Sequence, residues 1–281
     1  MVARLTSRTV HFIFGLRPQV EPFHLLHYLA IASCREVLQP DEVQLHVHDV
    51  PYGFYWDLAR PLVTVKRIEH VAEVASRSHD PDISPYLYAH HADVIRLDLL
   101  ADSGGMYADI DTIFVRPVPD EWWSYEAVIG REAPVRYPDS VVPEESVSNA
   151  LMMARPGSRF IALWRERIIH AMDGTWSGHS CRLATRLAGD HPEWVRVEPQ
   201  SSFSSVDHTP VGIRELLENM FDPQRFESSY SVHLCAHLWW ALERRDFSSF
   251  SAIQVTEDHI RESDSTLARL ARPFLPSHGL F

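Results

Sequence analysis

Short apolar runs alternate with longer segments of helical periodicity through the first 170 residues of the chain. The run at residues 10–14, which Gly15 ends, predicts a buried strand. Residues 23–38 repeat apolar side chains near helical spacing and predict a helix that ends before Pro40. Residues 43–47 predict a second strand, and residues 60–65 are a candidate third. This alternation favours an α/β fold with a mostly parallel sheet, whose ligand crevice lies at the carboxyl ends of the strands.

The clearest predicted helix covers residues 86–103. Ser84 and Pro85 offer an N-cap and a first-turn proline, and Gly104 and Gly105 end the helix. Beyond it, the pattern predicts strands at residues 106–115, 127–130 and 149–154, and helices at residues 160–172 and 178–187. Loops are predicted at residues 133–145 and 201–209. Residues 231–242 begin like a strand and end like a helix.

Composition and charge narrow the function classes. The chain has 281 residues, a length that suits one or two domains, and 26 Lys and Arg against 38 Asp and Glu give a net charge of −12. Because DNA and RNA would repel so acidic a chain, we expect no nucleic-acid partner. No run of 18 apolar residues occurs, so no membrane span is predicted.

Cysteine usage and the N-terminal residues indicate the compartment. The 3 cysteines are far apart and form no C-x-x-C, which argues against a disulfide framework and favours a reducing compartment. The N-terminus has the arginines and the short apolar run of a signal peptide, but His11 interrupts that run. We therefore interpret it as the first strand and expect a cytoplasmic protein.

Two aspartates, Asp109 and Asp111, form a D-x-D directly after the helix stop. Carboxylates this close repel each other, so a cation is expected to compensate them. Oxygen ligands suit Mg²⁺ or Mn²⁺, which usually bring substrate phosphates with them. The alternative is an exposed turn with two acids. A second D-x-D, Asp80 and Asp82, has no strand before it and is interpreted as a solvated turn.

Three chemistries use such a pair of acids. A phosphatase of the haloacid type needs a threonine at the position that Ile113 occupies here. A nucleotidyltransferase of the polymerase-β type needs two small residues roughly ten positions before its acids, and Gly104 and Gly105 are too near. The third chemistry is sugar transfer from a nucleotide-sugar, in which the acids hold a divalent metal against the diphosphate.

The block around the acids reads Ala92-Asp93-Val94-Ile95-Arg96, then Gly104-Gly105-Met106-Tyr107-Ala108-Asp109-Ile110-Asp111. In residue type, order and spacing it resembles the D-x-D region of GT-A glycosyltransferases, in particular family 32 and its relatives among the large clostridial toxins. His91 departs from the pattern, because the family usually has serine there. The resemblance implies a GT-A-like α/β fold, a Rossmann-like nucleotide-binding sheet flanked by helices, in a single domain over residues 1–281. Residues 1 to about 130 would bind the nucleotide-sugar, and the rest would face the acceptor.

The resemblance also implies roles for individual residues. Asp111 would bind the metal directly, and Asp109 would reach it through water or contact the nucleotide ribose. Asp93 and Arg96 lie on one helix face and would hydrogen-bond the donor sugar, the alternative being a surface salt bridge. Further donor-binding residues of this block are Gly105 and Tyr107.

Two weaker resemblances lie toward the ends of the chain. Residues 10–15 resemble the family's first strand, whose end cradles the nucleotide base, a role that falls here to Phe12, Ile13 and Phe14. Residues 230–240 resemble a C-terminal block in which His233 would lie by the metal and Trp239 by the leaving group. His237 is the rival metal ligand. Candidate pocket-lining segments are residues 148–150, with Asn149 as a donor-binding residue, and residues 174–179.

The function implied is transfer of a sugar, with retention of configuration, from a nucleoside-diphosphate-sugar to a hydroxyl group. The acceptor would be a glycan, a lipid-linked molecule or a small molecule, and a lipid acceptor would make the enzyme peripheral to a membrane. Mn²⁺ or Mg²⁺ would neutralise the diphosphate. Same-face attack requires no protein nucleophile, so no catalytic residue is assigned, and no G-x-S-x-G motif occurs. A nucleotide-sugar hydrolase and a non-catalytic nucleotide-sugar-binding module of the same fold remain alternatives.

Overall fold

The structure, a computed structural model, describes residues 7–81, 86–240 and 255–277. In these residues the strands are β1 (Thr9–Phe14), β2 (Glu42–Val47), β3 (Thr64–Arg67), β4 (Gly105–Ala108), β5 (Thr112–Phe114), β6 (Ala127–Val135), β7 (Glu144–Ala154), β8 (Arg196–Glu198) and β9 (Ser231–His233). The α-helices are α1 (Leu25–Ser33), α2 (Phe54–Ala59), α3 (Ala72–Ala75), α4 (Leu87–Ser103), α5 (Arg159–Ile168), α6 (Leu183–Asp190), α7 (Gln200–Phe203), α8 (Pro210–Leu217), α9 (Ala236–Trp239), α10 (Glu257–Glu262) and α11 (Thr266–Ala271). No helix in these ranges is both long and apolar enough to cross a membrane.

The described strands form a seven-stranded sheet in the order β3-β2-β1-β4-β7-β6-β8 and a two-stranded sheet of β5 and β9. The pairs β1–β2, β1–β4, β2–β3 and β6–β8 are parallel. Strand β7 runs antiparallel to both β4 and β6. The mostly parallel α/β sheet predicted from the alternating pattern is therefore confirmed, with one antiparallel strand, β7, inserted between β4 and β6.

Neighbouring residues of β1 show how the sheet separates two cores. Ile13 packs in one cluster with Leu97 of α4 and Trp164 of α5. Phe12 is fully buried on the opposite face, in a cluster that includes Trp56 of α2. This follows from the pleat, because successive side chains of a strand point to opposite faces. A third cluster joins α1, α8 and α11 to the small sheet.

The single strand predicted at residues 106–115 is wrong. The chain forms β4, then a turn, then β5 in the other sheet. The Asp109 N–H donates to the Ala150 carbonyl (2.8 Å), and the Thr112 N–H closes the turn on the Asp109 carbonyl (3.1 Å). An apolar pattern does not reveal this turn because Ile110 sits in it. The two acids consequently lie at the junction of the two sheets.

Several other boundaries differ from the sequence prediction. The loop predicted at residues 133–145 is shorter, because β6 runs to Val135 and β7 starts at Glu144. The loop predicted at residues 201–209 contains most of α7. The candidate third strand begins with a 3₁₀ turn, Arg60–Leu62, and the strand itself is Thr64–Arg67. The predicted cap Ser84-Pro85 and Asp82 of the second D-x-D lie outside the described residues.

Candidate functional site

Two glycines connect the long helix α4 to strand β4. Gly104 has φ +65°, and a Cβ on it would lie 2.5 Å from Cδ of Pro156. Gly105 has φ +98°, and a Cβ there would overlap the carbonyl oxygen of Thr9 in β1. Since only glycine tolerates both the positive φ and this close approach, the pair lets the chain turn directly from the helix into the sheet. Gly105 thus serves the backbone path, and α4 is fixed relative to β4.

Three side chains meet at the end of β4. His233 Nε2 lies 3.1 Å from Oδ1 of Asp111 and 3.7 Å from Oδ2 of Asp109. The small sheet creates this meeting, because Thr112 of β5 pairs with His233 of β9. One ligand atom from each of the three residues lies within 4.8 Å of the others. Two carboxylates and an imidazole at these distances fit a small divalent cation.

The three ionisable groups of this cluster shift one another's pKa. Although burial raises the pKa of Asp111, the His233 imidazole and the N–H of Ala236, which donates to Oδ2 at 2.7 Å, hold that pKa below its ordinary value. Burial raises the pKa of Asp109 and outweighs the opposing charges of Arg96 and His233. Burial also lowers the pKa of His233, but Cys235 and Asp111 raise it well above its ordinary value. His233 and Asp111 thus shift each other's pKa in the direction that favours the charged form.

The second predicted pair, Asp93 and Arg96, forms a buried ion pair on α4 with Arg96 Nη2 3.3 Å from Asp93 Oδ1. Arg96 Nη1 donates to the Asn149 carbonyl (2.8 Å), and Nη2 lies 3.5 Å from Oδ1 of Asp109. Its guanidinium also lies 4.5 Å from the centre of the Tyr107 ring. The Tyr107 hydroxyl in turn donates to Oδ1 of Asp109 (2.5 Å). The two predicted sets of residues are therefore one connected network.

Further polar groups donate hydrogen bonds to the Asp93 carboxylate. The Asn149 side-chain amide donates to Oδ1 (2.7 Å), and His179 Nε2 donates to Oδ2 (3.0 Å). Burial raises the pKa of Asp93, but Arg96 and His179 together keep it below its ordinary value. An ionised carboxylate with all these partners has a fixed orientation.

The network opens into a cleft of about 560 Å³. Asp93, Arg96, Asp109, Asn149 and His233 all line it. Both segments predicted as pocket lining also contribute, with Ser148, Asn149 and Ala150 from β7 and Gly174, Thr175, Trp176 and Ser177 from the loop after α5. His237 lines it too, where its ring stacks on Trp176 with centroids 5.0 Å apart. Of the two rival histidines, both within the described residues, His233 belongs to the cluster with Asp109 and Asp111, and His237 does not.

The other predicted residues lie elsewhere. The side chains of Phe12 and Ile13 are buried in the cores on the two faces of the sheet. Phe14 is half-buried in an aromatic group, 5.0 Å from the ring centres of both Phe23 and His27. Trp239 is buried in the third core cluster, and its indole N–H donates to the Leu234 carbonyl (2.7 Å).

Glu132 is a cleft residue that the sequence pattern does not reveal. It accepts a hydrogen bond of 2.6 Å from the hydroxyl of Ser146, its cross-strand neighbour on β7. Burial raises its pKa. The apolar pattern ends the predicted strand at Gly130, so the alternation that would point Glu132 into the cleft is not visible in the sequence.

Comparison with known proteins agrees with this geometry. Residues 53–129 match the family described as "Glycosyltransferase sugar-binding region containing DXD motif". The match includes Asp93, Arg96 and both acids of the D-x-D. A relative, "Glucan organizing enzyme 1" of Cryptococcus neoformans var. grubii serotype A (strain H99), is 28% identical over 278 residues, which cover 96% of this chain and 71% of the relative.

A solved structure resembles this fold over most of the chain. It is the apo form of the glycosyltransferase GlyE of Streptococcus pneumoniae TIGR4, with a TM-score of 0.50 and 10% identity over 96% of this chain and 60% of that one. At this identity the likeness concerns the fold. The fold is therefore that of a GT-A glycosyltransferase, and the matched sugar-binding region and the relative support a transferase.

Proposed function

We propose that this enzyme transfers a sugar from a nucleoside-diphosphate-sugar to a hydroxyl of a saccharide acceptor, with a divalent metal at the D-x-D. The observation that carries the proposal is the clustering of Asp109, Asp111 and His233 ligand atoms within 4.8 Å of one another. This cluster shares its cleft with the buried Asp93–Arg96 pair. A metal site beside a sugar-binding carboxylate is what nucleotide-sugar chemistry needs.

The ligand set supports Mn²⁺ over Mg²⁺. Mg²⁺ favours an octahedron of oxygen atoms and keeps several waters, whereas His233 offers a nitrogen. A bound Mn²⁺ would neutralise the charge that develops on the diphosphate leaving group. Hydrogen bonds within the protein orient the metal ligands. The Ala236 N–H orients the Asp111 carboxylate, and the Tyr107 hydroxyl orients the Asp109 carboxylate.

The donor sugar would lie against Asp93 and Arg96. Asp93 would accept hydrogen bonds from sugar hydroxyls, because Asn149 and His179 already fix its orientation. The nucleotide would extend toward the end of β1, where Phe14 closes an aromatic group with Phe23 and His27. Residues 1 to about 130 would then serve the nucleotide-sugar and the remainder the acceptor, within one domain.

Retention of configuration is the expected stereochemistry, by resemblance to family 32. Glu132 would accept a hydrogen bond from the incoming hydroxyl, since it lines the same cleft and Ser146 fixes one of its oxygens. Proton NMR of the first-formed product distinguishes the outcomes, because an inverting enzyme produces the opposite anomer. An inverted product would contradict same-face attack and make Glu132 the candidate base.

The acceptor and compartment are also part of the proposal. The name of the relative "Glucan organizing enzyme 1" supports a saccharide acceptor. Cys34, Cys181 and Cys235 are all free thiols, which supports a reducing compartment such as the cytoplasm.

A thermal-shift panel tests the donor site. UDP, GDP, UDP-glucose, UDP-galactose and GDP-mannose are each added with and without Mn²⁺, because a ligand that binds only the folded state raises Tm by mass action. We expect one nucleotide series to raise Tm only when Mn²⁺ is present. No shift with any of them, in protein with a cooperative transition, would overturn the proposal.

Sugar release without an added acceptor would instead indicate a hydrolase.

A further inference from the structure

A large aromatic side chain is exposed in the cleft. Trp176 is 39% exposed and lines the cleft in the loop after α5. Its indole stacks on His237, with ring centroids 5.0 Å apart and planes 17° apart. The Tyr86 ring meets it edge-on at 5.3 Å. An exposed tryptophan costs solvation energy, so its position in a binding cleft suggests a ligand.

Helix α4 connects this aromatic group to the donor network. Tyr86, at the N-terminus of α4, contacts Trp176, and Arg96 on the same helix contacts Asp109. Trp176 also stacks on His237, which follows Ala236, the residue whose N–H donates to Asp111. The aromatic group therefore borders the proposed metal site, where an acceptor hydroxyl has to approach the donor sugar.

The loop that carries Trp176 is held in place before any ligand binds. The Thr175 hydroxyl donates to Oδ1 of Asp173 (2.6 Å) and accepts from the Gly178 N–H (3.0 Å). A Cβ on Gly178 would come within 2.5 Å of Asp173 Oδ2 and the Thr175 hydroxyl, so a larger residue would disturb this loop. A preorganised aromatic surface loses little conformational entropy when it binds.

Polar side chains line the same cleft as this aromatic surface. Hydroxyl, imidazole and carboxyl groups line the cleft, contributed by Glu132, Ser180, Ser204, Asp207 and His208. A pyranose ring has an apolar face of C–H groups and a rim of hydroxyls. An indole flanked by hydrogen-bonding groups matches both features, whereas a lipid chain would leave the polar groups unpaired.

We infer that Trp176, with His237 stacked on it, is the platform on which an acceptor saccharide packs one sugar ring. This inference rests on the proposed function and adds to it the side chain on which the acceptor packs. The consequence is direct: the protein binds a polysaccharide without any nucleotide-sugar, and the binding depends on the Trp176 side chain.

Native affinity electrophoresis tests this in gels that contain laminarin, yeast α-mannan or glycogen. We expect at least one of these polysaccharides to retard the wild-type protein. Trp176→Ala should weaken that binding about tenfold or more, equivalent to about 1.4 kcal/mol, and Trp176→Phe should retain part of it. Trp194→Ala is the matched control, because Trp194 stacks on His191 at 4.0 Å outside the cleft lining. It should migrate like the wild type.

Two results would overturn the inference. One is equal retardation of Trp176→Ala and wild type, and the other is no retardation of the wild type by any of the three polysaccharides. The donor site is read separately from the Mn²⁺-dependent nucleotide shift in Tm, which Trp176→Ala should retain. Loss of that shift in the wild type would contradict the proposed function while leaving the saccharide result interpretable.

Discussion

His233 Nε2 lies 3.1 Å from Oδ1 of Asp111, across the two-stranded sheet that β5 forms with β9. The two residues are far apart in sequence, and a backbone pairing outside the central sheet brings them together. The cleft therefore depends on the small sheet as much as on the large one. Asp111 is further fixed by the N–H of Ala236, three residues after His233.

Replacement of His233 should weaken metal binding specifically. We expect His233→Ala to reduce Mn²⁺ affinity about tenfold or more, by analogy with the loss of groups that support a metal site. His170→Ala is the matched control and should leave Mn²⁺ affinity unchanged, because His170 is exposed and lies outside the cleft lining. Isothermal titration with Mn²⁺ measures both. Equal losses in the two variants would contradict the assignment of His233.

Replacement of Arg96 should destabilise the protein because it leaves Asp93 buried without its cation. Arg96→Ala should lower the free energy of unfolding by about 3–5 kcal/mol. Arg96→Lys keeps the charge and should cost less, although it loses the planar contact with Tyr107. Urea unfolding provides the measurement. Arg131→Ala removes an exposed ion pair with Glu145 and should cost at most about 1 kcal/mol. Similar losses for Arg96→Ala and Arg131→Ala would show that the buried network is not structural.

Two glycine positions allow the energetic cost of a positive φ to be measured separately from the cost of steric crowding. Gly157 has φ +71° and open space where a Cβ would lie, so Gly157→Ala should cost about 1–2 kcal/mol from the positive φ alone. Gly105→Ala adds an overlap with the Thr9 carbonyl oxygen and should cost about 1–3 kcal/mol more. Chemical denaturation compares the two. Equal losses would mean that β1 moves away from β4 without penalty.

Stability should fall as the pH drops below about 6.5. Burial lowers the pKa of His24, His90 and His91 to about 4 and of His27 and His46 to about 3, from 6.5. Between these values the unfolded chain binds more protons than the folded one, so the free energy of unfolding increases with pH. The full contribution is present above pH 6.5 and is lost progressively toward pH 4 and below.

Measurement of Tm from pH 7.5 to 4.5 tests this, with His46→Gln as the informative variant. Gln can still donate to His11 Nδ1, which His46 Nε2 meets at 3.1 Å, but it does not titrate. We expect a shallower acid slope for His46→Gln than for wild type. His170→Gln, at an exposed position, should follow the wild type. An unchanged slope in His46→Gln would contradict a buried neutral His46.

The sequence predicts best what local spacing determines. One continuous segment encodes the helix before the D-x-D, the glycine stop and the Asp93–Arg96 pair. The structure adds that Arg96 contacts both Asp93 and Asp109. The position of His233 follows from resemblance alone, because no local pattern indicates that β9 pairs with β5.

Other features escape prediction because they depend on contacts between distant segments. The antiparallel insertion of β7 is a property of strand order, which periodicity does not encode. Glu132 is missed because prolines at positions 134 and 138 suggest a loop where β6 continues to Val135. The turn at Asp109 is missed because apolar residues continue on both sides of it.

The central claim is that the D-x-D holds a catalytic metal, and Mn²⁺ binding by the Asp111→Asn variant tests it most directly. The amide can still accept from the Ala236 N–H, so far-UV circular dichroism and Tm should remain near those of the wild type. Free Mn²⁺ is followed by electron paramagnetic resonance during titration with protein and UDP or GDP. We predict that the wild type removes Mn²⁺ from solution stoichiometrically with one nucleotide and that Asp111→Asn does not. Equal Mn²⁺ binding by the two proteins would contradict the claim.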